Sequence, residues 1–433
     1  MTTDSEDSDA QQPPDDAPPS AEPPSAERPP SAERPPSADL ATAAQPADPV
    51  GPEQPGDQQA PRRARFASVD TFRGLLLIGM VFTPSTAVGD HFAFLRHAEW
   101  NGITMNDWIF PAFLVTSGLS LSFLLRNPSK QATYRRLIRR LILLVVLGIA
   151  YNAYGTSWFD ISELRFTGVL QMIGIAGAVG AAVVLASRAM FGADKMWLLI
   201  AVATVGLVLY GLGLEFISCD PIGRCSPYLS LDTAVLTDSH VYRAGGAGWD
   251  PEGLVLSIAS SAFVLYGYSA GMIIRRIGQS DPKGTVLRIG SLAGGCLIAG
   301  LVASAWMLPN KRLLTPSFAL LVSGSALVVV CGIFLLIDAN SGGAAAADKA
   351  RRAITWPIIA FGRNAIIVYL FERVLLHAGK SIKIGDRSIE TRLMEDILPV
   401  GAPAVHEAYA AVIACVLLLV VGTLHSNRKY LAL

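Results

Sequence analysis

The chain has 433 residues, 51% of them hydrophobic and only 16% charged, with a mean hydropathy of +0.41. That composition excludes an ordinary soluble enzyme and describes a polytopic membrane protein. The net charge of zero decides little, because the charges sit in tails and loops.

Residues 1–65 invert the composition. A near-repeat of Pro-Pro-Ser-Ala-Glu-Arg runs from Pro23 to Asp39, and no aromatic residue precedes Phe66. Such a segment cannot bury enough apolar surface to offset its chain entropy, so a disordered cytoplasmic tail is expected ahead of a transmembrane domain over 66–433. No charged start followed by an apolar run precedes Val69, so a cleavable signal peptide is not expected.

Apolar runs of spanning length then recur at Val69–Val88, Trp108–Leu125, Leu137–Tyr154, Gly168–Ser187, Met196–Phe216, Leu254–Ile274, Val286–Leu308, Pro316–Ile337, Trp356–Leu376 and Ala404–Leu424. With roughly 20 apolar residues needed to cross the hydrocarbon, they predict an all-α bundle of about ten helices. Basic residues set the orientation. Arg62, Arg63 and Arg65, the group from Arg126 to Arg140, Arg275 with Arg276 and Lys283, Lys349 with Arg351 and Arg352, and Arg428 with Lys429 all fall on one side of a ten-helix chain. Both termini are therefore expected in the cytoplasm, with the loop around His97 on the opposite face.

Cysteine placement agrees with this orientation. Cys219 and Cys225 share the long outer loop 217–253, where a disulfide would persist, whereas Cys296, Cys331 and Cys415 lie inside apolar runs. Free thiols in a cytoplasmic loop are the alternative. No cysteine and histidine pair has metal-ligand spacing, and no glycine-rich phosphate loop is present, so no metal is expected.

Several residues then stand out in order: Ser68-Val69-Asp70-Thr71-Phe72-Arg73-Gly74; His97-Ala98 with Trp100-Asn101-Gly102; Asp107, Phe110-Pro111 and Gly118; Arg165 with Gly168-Val169-Leu170-Gln171; Asp250-Pro251-Glu252-Gly253; Asn310-Lys311 with Thr315 and Ser317; and Gly362, Asn364-Ala365 and Tyr369. This ordered set resembles the heparan-alpha-glucosaminide N-acetyltransferase family of membrane acyltransferases. The resemblance covers the membrane region but not the tail. It implies a helical bundle that takes acetyl groups from cytosolic acetyl-CoA, a co-substrate, and passes them to an amino sugar on the far side, with the loop histidine, here His97, as the catalytic residue.

The chemistry of the residues supports that role. An imidazole of ordinary pKa is largely neutral at pH 7, so it can take a proton from an attacking amine or hydroxyl, or itself attack a thioester carbonyl. Both roles stay open, beside the plain alternative of an idle histidine in a wet loop. Asp107 opens the second helix, where it either caps the N-terminus or orients His97 through a hydrogen bond. Asn101 and Asn364 can position the acceptor or polarise the acetyl carbonyl, or simply bond a neighbouring helix. Asp70 and Arg73 are three apart, so they share a helix face and can pair. Arg73 either holds the phosphate or pantetheine of coenzyme A, or anchors the helix by snorkelling. Gln171 is a further candidate for the donor, and Lys311 and Tyr369 for the acceptor.

A cytosolic nucleotide and an outer histidine carry a geometric requirement. A pantetheine arm of roughly 20 Å cannot alone cross a core of about 30 Å, so a deep channel open to the cytoplasm is expected, with the His97 loop dipping toward it. Leu314, Pro316 and Glu372-Arg373 depart from the family pattern, and the chain starts with a tail where a folded outer domain would be. The acceptor is therefore expected to be a cell-envelope amino sugar or glycan, in a bacterial plasma membrane suggested by the Ala/Arg/Pro-rich composition. The expected partners are acetyl-CoA, that acceptor and the lipid bilayer, with a homodimer left open and no nucleic acid. The competing class is a transporter or flippase of a sugar or lipid-linked glycan. Such a fold would favour internal repeats, and no convincing repeat links the two halves.

Overall fold

The computed structural model describes residues 66–83, 92–126, 131–154, 160–217, 224–242, 248–339, 345–397 and 404–431. The expected tail over 1–65 and Cys219 lie outside these residues. Cys225 is disulfide-bonded, while Cys296, Cys331 and Cys415 are free thiols.

The described chain is almost wholly helical: α1 (Ala67–Phe82), α2 (Met105–Leu124), α3 (Gln131–Ala153), α4 (Val169–Phe191), α5 (Met196–Phe216), α6 (Leu229–Leu236), α7 (Leu254–Ala259), α8 (Ser261–Ile277), α9 (Pro282–Trp306), α10 (Pro316–Phe334), α11 (Ala345–Arg363), α12 (Ala365–Ser381), α13 (Ile389–Arg392) and α14 (Ala404–Ser426). A two-stranded antiparallel hairpin, Lys383–Ile384 with Arg387–Ser388, follows α12. Local chemistry sets the ends. Asp281 accepts from the Gly284 N–H at 2.8 Å while Pro282 opens α9, a proline costing nothing where no backbone donor is needed. Gly192, at φ +70°, ends α4 in the left-handed region.

Each predicted apolar run is built on helix among the described residues, with 84–88 of the first run lying outside them, and the chain is a multi-pass helical membrane protein. Among the described residues seven helices are single spans by length and composition, or eight when one bent pair is counted as a span. Two runs differ from the simple expectation. The run Leu254–Ile274 is interrupted at Ser260, between α7 and α8. The run Trp356–Leu376 is not one helix: α11 and α12 meet at 79° across Asn364. The chain leaves helical geometry at Asn364, whose φ of −111° and ψ of 32° set the new direction of α12.

The core centres on α2 and α8, which approach so closely that side chains are excluded. A Cβ on Gly118 would lie 2.0 Å from the Val264 carbonyl oxygen, and one on Gly267 would lie 2.1 Å from that of Val115. Such small-residue contacts suit a bilayer, where packing rather than water exclusion drives helix association. The outer helices instead turn Leu209, Ile298, Leu301, Val302 and Leu419 outward. Against α1, α11 is equally close: a Cβ on Gly362 would meet the Asp70 carbonyl oxygen at 1.9 Å, and one on Gly74 that of Ile358 at 1.9 Å.

Candidate active site and cavity

The site starts at the first turn of α2. Thr104 and Asp107 form a reciprocal capping box, in which the Asp107 N–H donates to Thr104 Oγ1 and the Thr104 N–H donates to Asp107 Oδ2. The same carboxylate accepts from the Ala98 N–H at 2.9 Å and the Thr104 hydroxyl at 2.9 Å. Its other oxygen, Oδ1, lies 2.6 Å from His97 Nδ1. Asp107 therefore caps the helix and orients His97 at once. A carboxylate only accepts, so Nδ1 carries the proton in this pair and Nε2 is left as the basic nitrogen. The His97 side chain is 51% exposed and that of Asp107 is 3% exposed, so the ring edge faces outward from a buried anchor.

Lys311 completes this group. Its Nζ lies 3.6 Å from Asp107 Oδ1 and 3.4 Å from His97 Nδ1. Burial pulls the Lys311 ammonium below its ordinary range, and the charges of Asp107 and Glu252 offset only part of that.

Three loops converge here. Asn101 Oδ1 accepts from Asn310 Nδ2 at 3.2 Å, and the Gly102 N–H donates to the Pro309 carbonyl at 2.7 Å. Gly102 holds φ +121°, a conformation that favours glycine. Trp100 packs edge-to-face on Trp249 at 4.9 Å, and the Arg312 guanidinium lies 5.6 Å from both ring centroids while donating to the Glu99 carbonyl. Behind them Arg165 pairs with Asp250 at 2.7 Å and Glu252 at 2.6 Å.

A cavity of about 700 Å³ lies alongside α2. Its walls include Phe123 and Leu124 near one end of that helix and Ile109 and Phe110 near the other, a stretch of roughly 22 Å at 1.5 Å per residue. His97 is not in its wall. The last wall residue along α2, Ile109, stands two positions from Asp107.

Arg73, Arg140 and Arg363 face the cavity together with Asp70. Asp70 accepts from Arg363 Nε at 3.0 Å and lies 3.8 Å from Arg73 Nη1, so the expected Asp70–Arg73 pair is joined by a second arginine. Arg73 also donates to the Gly362 carbonyl at 3.3 Å and to Ser120 Oγ, and Arg140 donates to Ser117 Oγ at 3.3 Å. Three guanidinium groups against one carboxylate make this wall cationic.

The other sequence candidates are dispersed. Tyr369 lines the cavity and stacks on Tyr151 at 4.7 Å. Gln171 is outside the wall and lies against α3, where a Cβ on Gly148 would meet its Oε1 at 2.1 Å. Asn364 stands at the α11–α12 bend, 1% exposed, and donates to the Ala360 carbonyl at 3.1 Å. It shares no contact with the His97 group among the described residues. As part of the basic group from Arg126 to Arg140, Arg140 reads from the sequence as a topology signal or as an attractor of the nucleotide's phosphates, and its spacing singles it out within that group. Thr133, Leu137, Arg140, Leu144 and Gly148 follow the i, i+4, i+7 spacing of one helix face, and three of them, Thr133, Leu144 and Gly148, are buried.

A family profile described as an acyltransferase domain matches residues 66–426. The chain belongs to that family. This acyltransferase domain is also similar to two proteins named heparan-alpha-glucosaminide N-acetyltransferase. The human protein is 26% identical over 378 residues, covering 72% of this chain and 53% of its own length. The mouse protein is 25% identical over 373 residues, covering 72% and 54%. The chain thus spans about half the length of the curated relatives it matches. The resemblance carried by the ordered motifs is borne out, and the matched region contains the His97 group and the cavity wall except Tyr430 and Leu431.

Proposed function

We propose that this acyltransferase domain moves an acetyl group from acetyl-CoA, entering the cavity at the arginine-rich end, to an amino sugar or glycan acceptor that binds at the His97 end. The observation that carries the reading is the placement of the cavity along α2, ending two residues from the carboxylate that orients His97. Its extent of roughly 22 Å along the helix suits an extended pantetheine arm. In the orientation given by the basic residues, the arginine wall opens toward the cytoplasm of a bacterial plasma membrane, and both termini lie on that side.

In this reading Arg73 and Arg140 take the anionic part of the donor through charge-assisted hydrogen bonds. Mostly apolar side chains, Phe113, Leu144 and Ile173 among them, sheathe the arm. His97 Nε2 takes the proton of the attacking acceptor, or accepts the acetyl group before passing it on, while Asp107 stabilises the imidazolium that forms. Lys311 and Tyr369 contribute to the acceptor side.

Acetyl-CoA-dependent thiol release by the purified protein, with glucosamine as acceptor, tests the proposal against His97→Ala. Release that needs the acceptor and vanishes in the variant supports it. Release unchanged by the substitution removes His97 from the chemistry, and no release with acetyl-CoA and a panel of amino sugars removes acetyl transfer.

A further inference from the structure

The motif Asp250-Pro251-Glu252-Gly253 adjoins the His97 loop through Trp249, which packs on Trp100. Its backbone is firmly set. The Asp250 carboxylate accepts from Thr167 Oγ1 at 2.5 Å, the Tyr242 N–H at 3.0 Å and the Glu252 N–H at 2.9 Å. Arg165 then clamps Glu252 from one side, with Nη2 at 2.6 Å from Oε2, while lying over the Tyr242 ring at 4.7 Å. No hydrogen bond reaches Glu252 Oε1 among the described residues, and the side chain is 15% exposed. The Trp100–Trp249 contact and Arg312 tie this turn to the His97 loop. The Glu252 charge helps hold the buried ammonium of Lys311, whose Nζ lies 3.6 Å from Asp107 Oδ1 and 3.4 Å from His97 Nδ1. Asp250, fully committed to the scaffold, has no such freedom.

We propose that Glu252 is a second catalytic carboxylate, which binds the acceptor's ammonium group through Oε1 and takes from it the proton that must leave before attack. The inference rests on the acetyl-transfer reading above and specifies its acceptor as a primary amine that arrives protonated. Proton balance requires such a group. An ammonium has no lone pair and cannot attack a thioester, and His97 supplies one basic nitrogen. In the assigned sequence one ammonium proton passes to Glu252, which holds it through the attack and gives it to water only after the products leave. The freed nitrogen pair forms the C–N bond as the C–S bond breaks. The second N–H proton passes to His97 Nε2 and from there to the departing thiolate, which leaves as coenzyme A thiol. If the acetyl group first rests on His97, Glu252 activates the amine in the second step. Arg165 keeps the Glu252 side chain fixed, and the opposite charges of Glu252 and Lys311 distinguish an ammonium pole from an anionic or carbonyl pole of the acceptor.

The test is the pH profile of kcat/KM for glucosamine with saturating acetyl-CoA, for the intact protein and for Glu252→Gln. The intact protein is expected to keep its rate below the pKa of the acceptor amine. The variant should depend on amine that is already neutral, losing about tenfold for each pH unit below that pKa and recovering above it. Glu252→Asp should keep the intact profile at a lower rate. A loss in Glu252→Gln that is the same at every pH overturns the assignment. So does an intact protein whose own rate follows the neutral-amine fraction, a result that needs no variant to fold. Absence of thiol release by the intact protein overturns acetyl transfer itself, and Glu252's role with it.

Discussion

His97 Nδ1 lies 2.6 Å from Asp107 Oδ1, and the same carboxylate closes the first turn of α2. One side chain thus fixes both the mouth of the helix and the direction of the imidazole. Under the proposed function, catalysis and local stability are coupled at this residue, and substitutions can separate them.

Asp107→Asn should keep much of the cap, because asparagine also accepts backbone N–H groups. It should lose the tautomer control and the charge that stabilises an imidazolium. Acetyl transfer is expected to fall by about 10²–10⁴-fold, with stability reduced by about 1 kcal/mol. Thiol release and thermal unfolding in detergent, measured on one preparation, check the two parts separately.

Arg140→Gln should weaken the donor site. Losing a charge-assisted hydrogen bond worth about 1.5–3 kcal/mol should raise the KM for acetyl-CoA by roughly 10–100-fold and leave acceptor dependence unchanged. Arg139→Gln, whose residue is exposed on the same helix, should leave KM unchanged. Initial rates at varied acetyl-CoA separate the two positions.

Gly362→Ala should disrupt the α1–α11 contact, because the new Cβ would sit 1.9 Å from the Asp70 carbonyl oxygen and neither backbone can yield cheaply. A loss of about 1–3 kcal/mol or more is expected, with the Asp70–Arg363 pair displaced. Gly294→Ala in α9, where nothing lies within 4 Å of the added methyl, should instead be neutral or stabilising by up to about 1 kcal/mol. Melting temperatures of the two variants provide the comparison.

Asp232 in α6, outside the spanning helices, gives a pH signature. Burial raises its pKa, the Val255 and Leu254 N–H groups draw it back, and the Asp250 charge adds to the rise, leaving it at about 6. A folded pKa above the unfolded one means that the native state holds more protons between them. Stability is therefore fully retained below about pH 4 and declines as pH rises through about 6. Asp232→Asn should flatten that decline, as melting temperature from pH 4 to 7 would show.

The spans, the loop histidine and the Asp70–Arg73 pair were all legible, because each rests on spacing within a short stretch of chain. The break at Asn364 was less so. The charged residues of α11 lie before the apolar run Trp356–Leu376, so a window over that run alone reads as one span. Gln171 and Asn364 carry polar groups at membrane depth, yet the structure turns one against α3 and sets the other at a helix junction. Polarity alone does not say toward which neighbour a side chain points.

Hydropathy and helical periodicity by themselves determined a helical membrane protein, its apolar runs and a histidine loop followed by a capped helix, since these depend only on local solvation and backbone geometry. Only the tertiary structure decided that Lys311, more than 200 residues beyond Asp107 in the chain, stands beside His97, and that Arg73, Arg140 and Arg363 share one cavity wall. Those groupings arise from helices packing backbone to backbone at Gly118, Gly267 and Gly362, and such contacts join segments whose separation along the chain carries no spacing signal.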